Sequence, residues 1–466
     1  MGKHLPSAFV QAIFDQCGPD VLLTDAGEIE SYGSDWTRVF PAKPGGVALA
    51  RSTEDVSAIL RLCSAHGIRV VPSGGRTGLA GGAVAARGEL VLSLSRMNAM
   101  AEVNSIAGTV DVEAGAITEA VHKHVEDAGW LWPIDLAAKG SSQIGGNLAT
   151  NAGGLRVIRY GSARKWVLGL TCVLMDGRIL QLGGLEKDNT GYDLTQLMIG
   201  SEGTLGIITH ATLKLAPRPK PSQVMLLALS EPAHALAILS HVRTRGDVVA
   251  AYELWTDACR QEVESASLGR SPFQQPAPLY ALLELEVGSD MNRTTELLAE
   301  LSEQGLILDA VTSRSSTQIR ELWSLREHIT LSLSRRQMMH KSDIAVPVSK
   351  IDALFRALSR MFEVTYPDLE VFLFGHVGDG NVHVNVAKPD SWDKKTFLSR
   401  IEEVDEHIGA LLKNLGGSVS AEHGIGLLKK KHLHFTRSAD ELSIFRAIKA
   451  AFDPQGLLNP GKLLDP

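Results

Sequence analysis

Cysteine is scarce: the 466 residues contain four, Cys17, Cys63, Cys172 and Cys259, far apart and with no CxxC pair. That spacing suggests neither a disulfide framework nor a thiolate zinc site, and it fits a reducing compartment. Long apolar runs are missing as well. No stretch approaches the roughly 20 residues that span a bilayer, so no membrane span is expected. The opening MGKHLPSAFVQAIFDQCG has no apolar core followed by a cleavage site, and it is too acidic and too poor in arginine for an organelle transit peptide. A cytoplasmic protein is the expectation. Positive charge is in deficit: 46 Lys and Arg against 53 Asp and Glu leave a net charge of −7, which gives no field for nucleic acid. An anionic ligand must therefore be met by local positive charge. Internal repeats and low-complexity tracts are absent too.

What is present is ordinary globular material, 44% hydrophobic and long enough for two or three cores. Residues 5–38 show apolar positions at helical spacing, and Pro41 and Pro44 break that pattern. From Val47 to Pro217, short strand candidates (IRVVP, LVLSL, GTVDVEAG, LTCVLMDG, LGIITHATLKLAP) alternate with glycine-rich turns and a few helical segments, an α+β pattern. The stretch PRPKP, Pro217 to Pro221, can neither continue a helix nor donate freely to a ladder, and marks the main boundary. A second α+β unit follows, with strands such as MLLAL and YALLELEVG and amphipathic helices over Ser230 to Arg243, Asn292 to Glu303 and Lys350 to Met361. Ser230 is placed to cap the first of these, and Pro232 suits its opening turn.

Three glycine-rich runs stand out in the first half. PSGGRTGLAGGAV, from Pro72 to Val84, carries five glycines in thirteen residues. Such a loop brings backbone N–H groups against phosphate oxygens, because glycine tolerates positive φ and leaves room for close approach. It is neither a P-loop, since no GK[ST] follows, nor a Rossmann turn, since it lacks the helix entry. Alone it is as well read as a tight turn. KGSSQIGGNLATNAGGLRVIRYG, from Lys139 to Gly161, adds small residues with Asn147, Thr150 and Asn151, and KDNTGYDLTQLMIGSEGTLGIIT, from Lys187 to Thr209, puts another glycine turn before a β-branched strand. Three such loops in one domain point to an extended dinucleotide.

These runs resemble the FAD-binding domain of the vanillyl-alcohol oxidase and p-cresol methylhydroxylase superfamily, and the likeness covers essentially the whole chain. Within it the sequence is most similar to the D-2-hydroxyglutarate dehydrogenase family, with D-lactate and glycolate dehydrogenases more distant. The implied architecture is α+β: a helical segment over 1–41, a PCMH-type FAD-binding domain over 42–218, an α+β substrate or cap domain over 219–420, and a helical C-terminal segment, 421–466, completing the active site. The resemblance puts Gly74, Gly75, Arg76, Thr77 and Gly78 on the pyrophosphate. It sets Asn147, Thr150, Asn151, Gly153, Gly203 and Ile208 along the flavin, and completes the cofactor set with Pro72, Ser142, Gly145, Gly146 and Asn459. A capping and turn role for Asn459 is nearly as well supported. No histidine or cysteine stands in the first loop, where many relatives tether their flavin, so non-covalent FAD is expected.

In the second half, FGHVGDGNVHVNV places His376 and His383 seven residues apart around a GDGN turn, and SAEHGIGLLKKKH adds Glu422 and His423. Two histidines and a glutamate suit a catalytic zinc with one position open for substrate. Imidazole and carboxylate suit manganese and iron as well. The resemblance assigns His376, His383 and Glu422 as ligands, His423 as catalytic base and substrate contact, and Asn385 as a further substrate contact. It also puts Arg326, Thr330 and Lys341 on the distal carboxylate of a diacid; Arg326 and Thr330 are four apart on a predicted helix and therefore on one face. The lactate relatives do not keep this set. The expected reaction is oxidation of D-2-hydroxyglutarate to 2-oxoglutarate, with D-malate as a shorter diacid. The resemblance further implies an electron-transfer flavoprotein as acceptor and a homodimer. The alternatives are a D-lactate or glycolate dehydrogenase, a flavin electron-transfer subunit without a substrate site, and an ether-lipid-type transferase. KKKH, Lys429 to His432, reads as a solvated helix end, and Trp130 and Trp132 as packing beside a flavin loop.

Overall fold

Two kinds of strand pattern produce two kinds of sheet. The computed structural model describes residues 5–288, 290 and 292–465. In its first sheet the order is Leu22–Leu23, Gly46–Leu49, Leu90–Ser93, Val70–Ser73, and the last three strands run parallel. Gly46–Leu49 and Leu90–Ser93 are buried at every position, as strands covered on both faces must be. Helices Ser7–Cys17 and Thr53–His66 cover this sheet. The second of these starts where Ser52 accepts the Asp55 N–H and stops at left-handed Gly67. The stretch read as a helical preface thus also supplies an edge strand: Leu22 and Leu23 pair antiparallel with Ala48 and Val47. An antiparallel sheet follows, ordered Thr109–Glu113, Ile207–Lys214, Val167–Val173, Ile179–Gly183.

After PRPKP, seven antiparallel strands form one sheet in the order Asp309–Thr312, Ser222–Leu229, Leu279–Glu286, Val248–Thr256, Glu370–Gly375, Asn381–Ala387, Met339–Ala345. One face is covered by helices Pro232–Thr244, Ile351–Val364 and Lys394–Leu415. The other carries helices Asp257–Ser265 and Ser316–Leu333. The predicted helix at Ser230 begins two residues later, with Pro232 at its first position and no side-chain cap. The Ser230 hydroxyl lies too early to reach the helix amides and turns to His234 Nδ1 at 3.2 Å.

The C-terminal helix Ala439–Phe452 opens on a capping box between Ser438 and Glu441. The chain then returns to the first sheet, where Leu458 bridges Val70 in parallel and the Asn459 N–H donates to the Val70 carbonyl at 2.7 Å. The last residues therefore finish the domain that the first residues begin.

Gly409 lies inside helix Lys394–Leu415, and a Cβ there would stand 2.2 Å from the Phe435 ring. Alanine would gain about 1 kcal/mol of helix propensity, but overpacking a core contact costs about 1–3 kcal/mol. Gly409→Ala is therefore expected to lower the thermal midpoint followed by circular dichroism. A raised midpoint would show that the ring yields.

Candidate active site

Alternation along the seven-stranded sheet decides which side chains meet. In Asn381–Ala387, Val382, Val384 and Val386 enter one core, so His383 and Asn385 point to the other face with Ala387, Phe372 and Phe374. The register sets Lys341 opposite Asn385, and Asp343 opposite His383. In Val248–Thr256, Tyr252 and Leu254 join the first core while Ala251 and Trp255 join the second, which turns Glu253 to the same face as His383. His376 follows Gly375 at the end of the neighbouring strand.

On that face the ligand atoms of His376, His383 and Glu422 lie within 4.8 Å of one another, and His376 Nε2 is 3.9 Å from Glu422 Oε2. On His376 and Glu422 the atoms facing away are already engaged. His376 Nδ1 is 2.6 Å from Glu253 Oε1, and the Gly154 N–H donates to Glu422 Oε1 at 3.0 Å. His376 Nε2 and Glu422 Oε2 are left facing each other, which is the outer-shell arrangement that metal ligands need. A second grouping, Asp343 with Glu422 and His423, has similar spacing. Its Asp343 carboxylate is spent: Oδ2 accepts the N–H groups of Ala421, Glu422 and His423 at 3.2, 2.9 and 3.1 Å, and Oδ1 takes the Asn381 amide at 2.8 Å. The donor set of His376, His383 and Glu422 thus fits a divalent ion, and the second set does not.

Desolvation sets the protonation states. It holds His383 well below the usual imidazole range and lowers His423, so both rings are neutral at pH 7. Burial alone would lower His376, but the Glu253 carboxylate outweighs it and lifts the imidazole to about 9. Burial would raise Asp343, yet His423, Lys429 and His383 hold it well below the carboxylate range. His423 lies nearly parallel to His383, with ring centroids 6.2 Å apart.

The three expected carboxylate contacts occupy different settings. Arg326 is buried, its Nε donating to Glu253 Oε2 at 2.7 Å and its guanidinium 4.7 Å from the Phe374 ring centre. Lys341 is exposed, yet enough protein surrounds it for desolvation to lower its pKa, and among the described residues it makes no ion pair. Thr330, one turn beyond Arg326 on helix Ser316–Leu333, is exposed, and no hydrogen bond joins it to the cluster among the described residues. The reading of KKKH as a solvated end is corrected at two positions. The Lys429 ammonium bonds the Asp343 carbonyl at 3.2 Å and the Ser420 hydroxyl at 3.1 Å, and His432 is buried. The run packs against helix Lys394–Leu415 and reaches the edge strand through Lys429, so half of it turns inward.

A cleft in the first half collects Pro72, Gly74 to Gly78, Gly145, Gly146, Asn147, Thr150, Gly203, Ile208 and Asn459, and His423 borders it as well. Three residues expected there lie elsewhere. Ser142 is buried against the Thr118 hydroxyl at 2.8 Å, Asn151 lines a neighbouring cavity of about 760 Å³, and Gly153 packs against the Glu422 carboxylate. The cleft fits an extended polar cofactor on two grounds. Ser73 Oγ, Gln143 Oε1 and Asn459 Oδ1 are buried around it without a partner, a condition that costs about 1–3 kcal/mol per atom unless a ligand meets them. A Cβ on Gly78 or Gly146 would meet nothing within 4 Å, and neither has positive φ, so the protein's own packing does not require glycine there. Arg76, Glu202 and Asn459 also line the cleft with φ of 56°, 54° and 44°, and such left-handed strain gathers at functional sites.

Sequence reasoning passed over Glu253, Asp343, Glu202 and Lys429. A charge inside the apolar strand AAYELWT and an acid two residues after Lys341 in KSD were the available signals.

The fold and the glycine-lined cleft, with the family models that match, define the class, an FAD-binding protein of PCMH-type fold. Residues 44–183 match the model of the FAD binding domain, and residues 218–463 that of the FAD linked oxidases, C-terminal domain. The D-2-hydroxyglutarate dehydrogenase of Xanthomonas citri pv. viticola is 44% identical over 95% of this chain and 94% of its own. The mitochondrial D-2-hydroxyglutarate dehydrogenase of Bos taurus is 38% identical over 99% of this chain and 85% of its own. The fold is that of p-cresol methylhydroxylase with substrate bound, at a TM-score of 0.76 and 14% identity over 98% of this chain and 97% of that one. The chain belongs to the D-2-hydroxyglutarate dehydrogenase family of FAD-linked oxidases and is an FAD-dependent dehydrogenase. No helix among the described residues is long and apolar enough to cross a membrane.

Gly146→Ala is expected to leave the flavin-free protein's thermal midpoint unchanged or raised, since the position is helical and open, while lowering bound flavin in the purified protein. Full flavin occupancy would show that the cofactor does not approach Gly146.

Proposed function

We propose that the protein oxidises D-2-hydroxyglutarate to 2-oxoglutarate, and D-malate to oxaloacetate, using non-covalent FAD and a zinc ion, with manganese or iron as substitutes. The observation that carries this reading is the position of His423, which borders the glycine-lined cleft and lies beside the His376, His383 and Glu422 group. When bound, FAD accepts the hydride from C2 and the metal lowers the hydroxyl pKa. His423, kept in its free-base form by desolvation, takes the hydroxyl proton. Asn385, buried beside His383, orients the α-carboxylate end. Lys341, Arg326 and Thr330 hold the distal carboxylate. The substrate choice is supported by the names of the relatives. Residues 42–218 serve the flavin, 219–420 the substrate, and 421–466 close the site. An electron-transfer flavoprotein as acceptor, a homodimer and a cytoplasmic location belong to the same reading.

One observation favours a monocarboxylate substrate such as D-lactate or glycolate: Arg326 is already paired with Glu253, so Lys341 is left to hold a second carboxylate. Two measurements separate the readings. Anaerobic addition of D-2-hydroxyglutarate or D-malate to zinc-loaded protein is expected to bleach the oxidised-flavin spectrum, whereas the L-enantiomers leave it unchanged; bleaching mainly by D-lactate would overturn the diacid substrate. Lys341→Ala is expected to raise KM for D-2-hydroxyglutarate roughly 10- to 100-fold, the worth of one hydrogen bond to a charged group. D-Lactate turnover should change far less, and equal losses on both acids would remove Lys341 from the distal-carboxylate role.

A further inference from the structure

One buried carboxylate joins the two halves of the proposed substrate and metal site. Glu253 is fully buried in strand Val248–Thr256, and its two oxygens go to different partners: Oε1 to His376 Nδ1 at 2.6 Å, Oε2 to Arg326 Nε at 2.7 Å. The Phe374 ring supports the guanidinium from beneath. A buried carboxylate is strongly disfavoured unless both oxygens are met by charge or hydrogen bonds, so neither partner is incidental.

We propose that Glu253 is a positioning residue that keeps the His376 proton on Nδ1, leaving Nε2 free for a metal, while holding the Arg326 guanidinium on the same face of the sheet. This inference rests on the metal reading above. The chemistry requires a group that accepts twice. With its Nδ1–H accepted by Glu253, the imidazole has only Nε2, toward Glu422 Oε2, to offer a metal, which would displace the Nε2 proton and take its lone pair. An amide in place of the carboxylate has one acceptor and one donor end. With its oxygen on Arg326, its NH2 faces Nδ1 and drives the imidazole proton to Nε2, where it blocks the metal. With its oxygen on His376, its NH2 opposes the Arg326 N–H, and a buried cation loses its partner. Ligand geometry and the guanidinium are thus tied through one side chain, and the tie disappears when Arg326 is absent.

The test is the zinc dissociation constant of flavin-loaded protein without substrate, measured by competition with a chromophoric chelator, with the flavin spectrum as the control for fold. Glu253→Gln is expected to weaken zinc about 10- to 100-fold, the usual effect of losing an outer-shell partner. The double variant Glu253→Gln with Arg326→Met should recover most of that loss, because the amide oxygen is then free to accept from His376. A carboxylate that merely stabilised the fold would not show this recovery. Unchanged zinc affinity in Glu253→Gln, or a double variant binding no more tightly than the single one, would overturn the proposal. If Glu253→Gln does not fold, the double variant decides alone: zinc binding within about tenfold of the parent supports the inference, and weaker binding overturns it. His376→Ala distinguishes the two readings. If it abolishes zinc binding while Glu253→Gln leaves binding unchanged, the metal site stands and this inference falls; if the parent protein binds no zinc, the metal reading fails first and takes the inference with it.

Discussion

The loop that carries Glu422 and His423 has little regular structure of its own, and two buried carboxylates hold it in place. Asp343, on the seven-stranded sheet, accepts the N–H groups of Ala421, Glu422 and His423. Glu202, from a glycine turn of the first half, accepts those of Ile425 at 2.8 Å and Gly426 at 2.7 Å. Five amides between residues 421 and 426 are thereby held by two side chains, and the three bonds to ionised Asp343 are charge-assisted, a kind about twice as strong as neutral ones. Because Asp343 also meets the Asn381 amide, one carboxylate fixes the strand bearing His383 and the loop bearing His423 together.

This arrangement makes the site depend on both halves of the chain. Glu422 receives an amide from Gly154, and the close approach leaves no room for a side chain at Gly153, where a Cβ would stand 3.0 Å from Glu422 Oε1. Asn459 returns from the far end of the chain, and its side chain donates to the carbonyls of Gly82 and Glu202 at 3.2 and 2.7 Å. Lys449 ties the same region down through the carbonyls of Thr204 and Leu458, both at 2.7 Å. The buried acids around the loop are answered by partners: Asp343 by Lys429 and the Asn381 and loop amides, Glu253 by Arg326 and His376, and Glu202 by backbone amides. Removing one partner from such a pair costs more than the pair itself contributes, because a charge is left without water or counterion.

Much of this was legible from residue types and spacing. Three glycine-rich runs in one domain pointed to a bound dinucleotide, and the structure gathers residues of all three around one cleft. His376, His383, Glu422 and His423 were found from chemistry-bearing residues at recurring turns, and the structure brings all four together. Arg326 shows where linear reasoning stops. Helical spacing set it beside Thr330, but only the sheet packed beneath the helix shows that Arg326 is buried against Glu253 while Thr330 is exposed. Lys429 shows the same for charge runs: a lysine in a polar stretch reads as solvated until the opposite surface supplies an aspartate.

By itself, then, the sequence determined the α+β class, the glycine-rich loops and the identity of the chemical groups, because backbone permissiveness and residue chemistry are local properties. Tertiary structure alone decided which atoms of those groups are free. It occupied His376 Nδ1, Glu422 Oε1 and both oxygens of Asp343, left His376 Nε2 and Glu422 Oε2 facing each other, and sent Asn151 and Gly153 away from the cleft. Those outcomes depend on strand register and on contacts between residues 38 to 268 positions apart, and burial raises the energetic consequence of each. No periodicity in the chain encodes them.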